Sequence, residues 1–108
     1  LRRGTTHQQN IQKEMNTIED IEKVVSGFLM KNHNELGLGE FDFVYNEEVM
    51  EHVHSICVSI LCTKHGIGYP GGGFVQAVVN NDLMGAFGRA DSINKKYIGL
   101  YVKLLYNY

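Results

Sequence analysis

The side chains best suited to metal or nucleophilic chemistry fall in one stretch: His52, His54, Cys57, Cys62 and His65. Imidazole and thiolate together are the usual ligands of zinc, and a thiol beside an imidazole is the start of a nucleophile pair. On a helix, His54 and Cys57 are neighbours three apart, as are Cys62 and His65. Cys57 and Cys62, however, stand five apart and lie on different faces, and the spacing matches no compact zinc module. A metal site is therefore not expected, and the two thiols are expected to remain reduced and unbridged. No base and oxyanion donors can be placed around either cysteine, so no catalytic residues are assigned and the chain reads as a non-enzyme that needs no cofactor. Glu47, Glu48 and Glu51 read as the solvated first turn and outer face of a helix.

A second group of residues suits recognition. Gly71, Gly72 and Gly73 allow close backbone approach and leave amides unpaired where a helix begins, which is the chemistry of an anion site. The string Gly66-Ile67-Gly68-Tyr69-Pro70-Gly71 has the spelling of a dinucleotide loop, but it follows a helix instead of a strand, and that reading is set aside. Asn81, Gly85 and Arg89 are spaced to share one helical line, with Asp82 beside it and Asp91 and Asn94 across the next turn. An arginine over a glycine can grip a carboxylate or phosphate with two parallel hydrogen bonds. Gly72, Gly73, Asn81, Asp82, Arg89, Asp91 and Asn94 are thus the candidate ligand or partner site. The plainer alternative is a structural Arg89–Asp82 or Arg89–Asp91 pair, with Asn94 holding the next helix start.

These groups need elements to position them, and the hydrophobic spacing supplies four helices. The first spans about Thr17 to Asn32, capped by Asn16 with Glu19 in the capping-box position, and carries Ile18, Ile21, Val25 and Phe28. Phe41, Phe43 and Tyr45 alternate as a short extended segment at 41–45 would. The second helix runs from Glu47 to about Lys64, with Asn46 as cap and a stripe of Val49, Val53, Ile56 and Ile60. A third runs from Gly72 or Gly73 to about Ala90 and places Phe74, Val75, Val78, Val79, Leu83, Ala86 and Phe87 on its apolar side. Asp91 caps a fourth, which holds Ile93, Tyr97, Leu100 and Leu104 with Tyr101 and Leu105 beside them. Helices three and four read as separate or as one kinked helix, since Asp91 alone divides them. The expected architecture is all-α, a compact bundle of about four helices.

From His65 to Asn107 the chain carries a specific succession: His65-Gly66-Ile67, Pro70-Gly71, Phe74, Ala77-Val78, Asn81-Asp82-Leu83, Arg89-Ala90-Asp91 and Tyr106-Asn107. This resembles a family of small proteins encoded by bacteriophages and prophages. The resemblance implies a phage accessory protein with no settled reaction.

The 108 residues suffice for one core, 44% are hydrophobic and 20% charged, and a single proline accompanies twelve glycines, a soluble globular balance. No run approaches the roughly 20 apolar residues of a membrane span. The formal charge of −2 argues against general attraction to nucleic acid. Charge is uneven: residues 1–14 carry three bases and one acid, residues 15–54 two bases and nine acids, residues 55–108 five bases and two acids. Residues 1–14 lack apolar periodicity and read as a flexible tail or a segment added by cloning, with a single domain over 15–108. The primary expectation is a phage or prophage accessory protein that binds a host protein in the host cytoplasm, in defence or regulation. A second is a small nucleotide or signal-molecule binder that holds a phosphate-containing ligand in the 71–91 region. A third is a structural virion or packaging component. Tyr97, Tyr101, Leu104 and Leu105 form two aromatic and aliphatic lines that a short bundle need not cover completely, so a homodimer through the last helix is expected, with packing of Tyr97 and Tyr101 inside the bundle as the alternative.

Overall fold

A computed structural model of the chain describes residues 15–32 and 47–108. The expected tail at 1–14, the extended segment at 41–45 and the Asn46 cap lie outside these described residues. Five helices occupy the rest: α1 Ile18–Lys31, α2 Glu47–His65, α3 Gly73–Val79, α4 Leu83–Arg89 and α5 Ser92–Asn107. The fold is all-α as expected, with no strand among the described residues. No described helix is long and apolar enough to cross a membrane.

The start of α1 is one residue later than the sequence suggests. Thr17, not Asn16, is the cap: its hydroxyl accepts from the Asp20 amide at 3.1 Å, and the Asp20 carboxylate accepts from the Thr17 amide at 3.3 Å. Such a reciprocal pair satisfies two otherwise orphaned donors, and removing a cap costs about 1 kcal/mol. From this register α1 buries Ile21, Val25, Phe28 and Leu29, and Ile18 is left exposed. Met15, just ahead of the cap, is also buried.

The longest helix, α2, is the one on which α1, α3 and α5 all pack. Val53, Cys57, Ile60 and Leu61 are wholly inaccessible, a spacing of four, three and one that makes a single inward stripe. Val49 and Ile56, expected at its centre, flank it half-buried. After α2, Gly66 and Gly68 take positive φ (69° and 71°), and the chain reverses direction there without a β-carbon in the way.

The expected third helix is two helices. Asn81 adopts φ 62°, its amide donates to Val78 O at 3.1 Å, and the Asp82 amide donates back to Ala77 O at 2.8 Å. These crossed bonds around a left-handed residue are a standard helix termination, in which asparagine substitutes for the more common glycine. Asp82 then caps α4, its Oδ1 accepting from the Gly85 amide at 2.9 Å. The unbroken apolar spacing from Phe74 to Phe87 conceals this turn, because α3 and α4 each supply part of the pattern. A second break separates α4 from α5: Ala90 and Asp91 are extended, and Asp91 Oδ1 accepts from the Asn94 amide at 2.7 Å. The Asp91 cap is where the sequence places it, and the alternative of one kinked helix is ruled out.

On α5, the residues expected at a dimer contact are interior. Tyr97, Tyr101 and Leu104 are buried and Leu105 is half-buried, so these side chains fill this subunit's own core. Asn94, expected in the recognition patch, is buried as well and accepts a hydrogen bond from the Tyr101 hydroxyl at 2.8 Å. Each buried polar group thereby satisfies the other. The Tyr101 ring meets Phe74 edge to face at 5.9 Å.

Two outcomes follow from this packing. Asn81→Gly should keep the thermal midpoint, whereas Asn81→Val, forced into a left-handed conformation, should cost about 1–2 kcal/mol in urea unfolding. The second concerns alkali. Burial pushes the Cys57 thiol up from 9.0 to about 12 and the Tyr101 phenol above its ordinary value, the latter raised further by the neighbouring Cys57 and Asp91. Both groups stay protonated longer in the folded protein than in the unfolded chain. Stability from them is therefore complete below about pH 9 and falls above it, by up to about 1.4 kcal/mol per pH unit for each titrating group. Tyr101→Phe should lower stability at neutral pH by about 1–3 kcal/mol, since Asn94 loses its partner, yet flatten the decline above pH 10 in the same unfolding series.

Candidate functional site

The residues singled out for recognition separate into three places. Gly73, Asp82 and Arg89 come together with Gln76, Ala77 and Asn80 around a depression of about 200 Å³ between α3 and α4. Gly72 lies at its edge as the cap of α3, where it offers no side-chain hydrogen bond. Asn81 stands apart on the exposed left-handed turn and not on the helical line the sequence suggests. Asp91 and Asn94 belong to the start of α5, where they hold each other.

Within the depression the glycines matter through space. A β-carbon on Gly73 would sit 2.9 Å from Arg89 Cδ and 3.2 Å from its Nε, so the arginine stem lies across the glycine surface. A β-carbon on Gly85 would collide with Asp82 Oδ2 and come within 2.8 Å of Arg89 Nη1. Gly85 thus lets the acid and the base occupy the same side of α4. Neither Asp82 nor Asp91 makes the expected ion pair with Arg89. Asp82 Oδ1 is engaged in capping, and Asp91 Oδ2 instead lies 3.2 Å from His52 Nε2, off the line of a hydrogen bond. The guanidinium makes one hydrogen bond, from Nη1 to Gly85 O at 3.3 Å. A fork held along its stem and bonded at only one nitrogen keeps its geometry for an external acceptor.

Beside the depression is a feature that the sequence pattern assigns to the wrong place. Leu83 is 64% exposed, Met84 85% and Phe87 44%, and Ala86 is the only buried residue of α4. Leu83 and Phe87 are four apart and Met84 adjoins them, so the three form one apolar ridge pointing outward. Periodicity places Leu83 and Phe87 in the core of one long helix. The turn at Asn81 restarts the helix in another register and carries them out. The readable signal was the Asn80-Asn81-Asp82 triplet, a left-handed turn residue followed by a capping acid.

The histidines and cysteines are dispersed. His54 Nε2 meets Ser26 Oγ at 3.4 Å, and His65 donates from Nε2 to Tyr108 O at 3.0 Å. Among the described residues, no three His, Cys, Asp or Glu side chains are grouped to hold a metal ion. Both cysteines are free and buried. Burial raises the Cys62 thiol, with nearby Glu22 adding to the effect, and holds Cys57 further up still, so neither supplies thiolate at neutral pH.

No family model, curated protein or solved structure matches the chain.

The three consecutive glycines have unequal roles. A β-carbon on Gly71 would fall 2.5 Å from both Ser59 Oγ and Val75 Cγ1, on a residue whose amide already donates to Thr63 Oγ1 at 2.8 Å. Around Gly72 there is open space. Gly71→Ala should therefore cost about 1–3 kcal/mol through overpacking, and Gly72→Ala should leave the midpoint nearly unchanged, as read by chemical denaturation of the two variants side by side.

Proposed function

We propose that this protein is a non-enzymatic accessory protein of phage or prophage origin that acts by binding a host protein in the host cytoplasm. The observation that carries the reading is the outward ridge of Leu83, Met84 and Phe87 on α4. Isolated apolar residues are common on any surface, but three contiguous large ones on a two-turn helix, with one small residue facing inward, form a patch of the kind that marks interaction sites. The adjoining Arg89 fork and the Asp82 carboxylate give that patch a polar margin, which is the usual anatomy of a protein contact. The resemblance of residues 65–107 to phage proteins supports a host component as the partner.

The same geometry argues against the 71–91 region as a nucleotide pocket. Its depression is about 200 Å³, below the roughly 300–1,000 Å³ typical of ligand sites, and Asp82 on its wall opposes a phosphate.

The test compares the proteins retained from host cells by the wild type, Met84→Glu and a Leu83→Glu/Met84→Glu double variant. Because both side chains are exposed, unfolding midpoints should stay within about 0.5 kcal/mol of wild type. A stoichiometric partner of the wild type should be lost with Met84→Glu, with affinity reduced by at least about tenfold once that partner is purified. An unchanged set of retained proteins with the double variant removes α4 as the contact surface.

A further inference from the structure

The outward face of α5 carries one continuous row. Lys95, Gly99, Val102 and Tyr106 are spaced four, three and four apart, which keeps them on one side of a helix. All four are exposed, Val102 to 51% and Tyr106 to 89%. The row lies opposite Tyr97, Tyr101 and Leu104, so the last helix presents a second seam after its first has gone into the core. Gly99 sits in the middle of this 16-residue helix, where a glycine is less favourable than an alanine. Its φ is not positive, and among the described residues nothing lies within 4 Å of where its β-carbon would be. The described subunit therefore gives no reason for a glycine there, and its effect is a hole in the helix surface. The charged groups beside the row are engaged elsewhere. Lys96 Nζ lies over the Tyr97 ring at 5.7 Å, and Lys103 reaches Asn32 Oδ1 at 2.6 Å. Asp91, one turn ahead of Lys95, gives Oδ1 to the Asn94 amide and turns Oδ2 toward His52. The Lys95 ammonium has no hydrogen bond or ion pair among the described residues.

What fits this row is the same row on a second copy. Its spacing is that of two coiled-coil heptads, with Lys95 and Val102 in one core position and Gly99 and Tyr106 in the other. Gly99 and Val102 stand equally far on either side of the midpoint between Leu100 and Tyr101, and so do Lys95 and Tyr106. A two-fold axis through that midpoint, with the helices antiparallel, sets each Val102 over the partner's Gly99 and each Lys95 against the partner's Tyr106. Every contact is then made twice: a branched side chain enters the hole left by the glycine, and an ammonium meets the negative face of an otherwise exposed ring. A parallel pairing would set Lys95 against Lys95 and glycine against glycine, so charge fixes the direction as well as the register. We propose that α5 pairs antiparallel with α5 of a second copy to make a homodimer. The dimer expected through the last helix thus uses the outer row of that helix, not Tyr97, Tyr101, Leu104 and Leu105. Two heptads bury less than the roughly 800 Å² per partner of a standard interface, and the dissociation constant is accordingly on the order of 0.1 mM. No residue of the α4 ridge takes part, so the dimer carries two ridges and meets a partner with repeated sites with increased avidity.

The experiment is sedimentation equilibrium of the full chain from about 10 µM to about 1 mM, a range that brackets the expected constant. The wild type should move from the monomer mass of 12.2 kDa toward twice that value. Gly99→Gln should weaken association at least about tenfold, because the new side chain occupies the hole, and should also raise the unfolding midpoint of the dilute monomer, because glutamine is the better helix former. These opposite signs separate a contact role from a structural one, in which substitution lowers stability. Tyr106→Ala should weaken association about tenfold as well. Tyr69→Ser removes a comparably exposed ring from the loop after α2 and should leave association within about twofold. All three positions are exposed, and circular dichroism establishes that each variant is folded. A chain that stays monomeric at about 1 mM overturns the proposal. So does a dimer that persists unchanged in both Gly99→Gln and Tyr106→Ala, since the copies then meet elsewhere, or an equal loss with Tyr69→Ser, which reduces the association to a general attraction between exposed rings.

Discussion

One left-handed residue, Asn81, directs the chain that follows it. By ending α3 after two turns, it lets the Asp82 cap begin α4 in a new direction, and α4 in turn delivers Asp91 to the head of α5. Without that reversal, α5 could not lay Tyr97, Tyr101 and Leu104 into the same core that α1 and α2 share. A two-turn helix can bury only one side. Since Ala86 takes the inward place on α4, the larger apolar residues of that helix have nowhere to go but out.

Much of this was legible in the sequence, and the errors have a common cause. The bounds of α2 and the Asp91 cap of α5 follow from first-turn acids, a capping aspartate and a single apolar stripe, all of which are local signals. At α1 the cap was misplaced by one residue because Asn16 and Thr17 are both good caps, each with an acid three residues on. The reciprocal bonds between Thr17 and Asp20 decide between them. The larger error, one helix over residues 73–90, came from summing hydrophobic spacing across a turn whose residues are polar. Periodicity reports that a side chain has apolar neighbours in phase, but not whether the backbone between them has changed direction.

The candidate site was partly readable for the same reason. Asp82, Gly85 and Arg89 are close in sequence, so helical spacing alone brings them together, and the structure adds only that Gly73 lies beneath the arginine stem. Asn94 was misassigned because a polar residue near a helix start looks like surface, whereas here a tyrosine hydroxyl seven residues on takes it inside. Tyr97 and Tyr101 were misassigned in the opposite sense. Rings that seem too large for a small bundle are accommodated because Phe74 meets one of them edge on, and because glycines such as Gly71 bring the α2–α3 connection close to α2. Neither contact is visible to a reading that takes each helix separately.

The attachment of α4 has a dynamic consequence. Of its seven residues only Ala86 is buried, with the Asp82 cap and the Arg89 stem across Gly73 as further ties, whereas α2 is held along four fully inaccessible side chains. Opening α4 therefore exposes little apolar surface, and its free energy lies near the bottom of the range that spans local fraying and global unfolding. Amide exchange in α4 is then governed by local opening and runs ahead of exchange in α2, which requires the whole core to separate. A surface that detaches this easily can adjust its angle to whatever it meets, at the expense of some ordering entropy on contact. The helix that presents the apolar ridge is thus also one whose local opening uncovers little buried apolar surface.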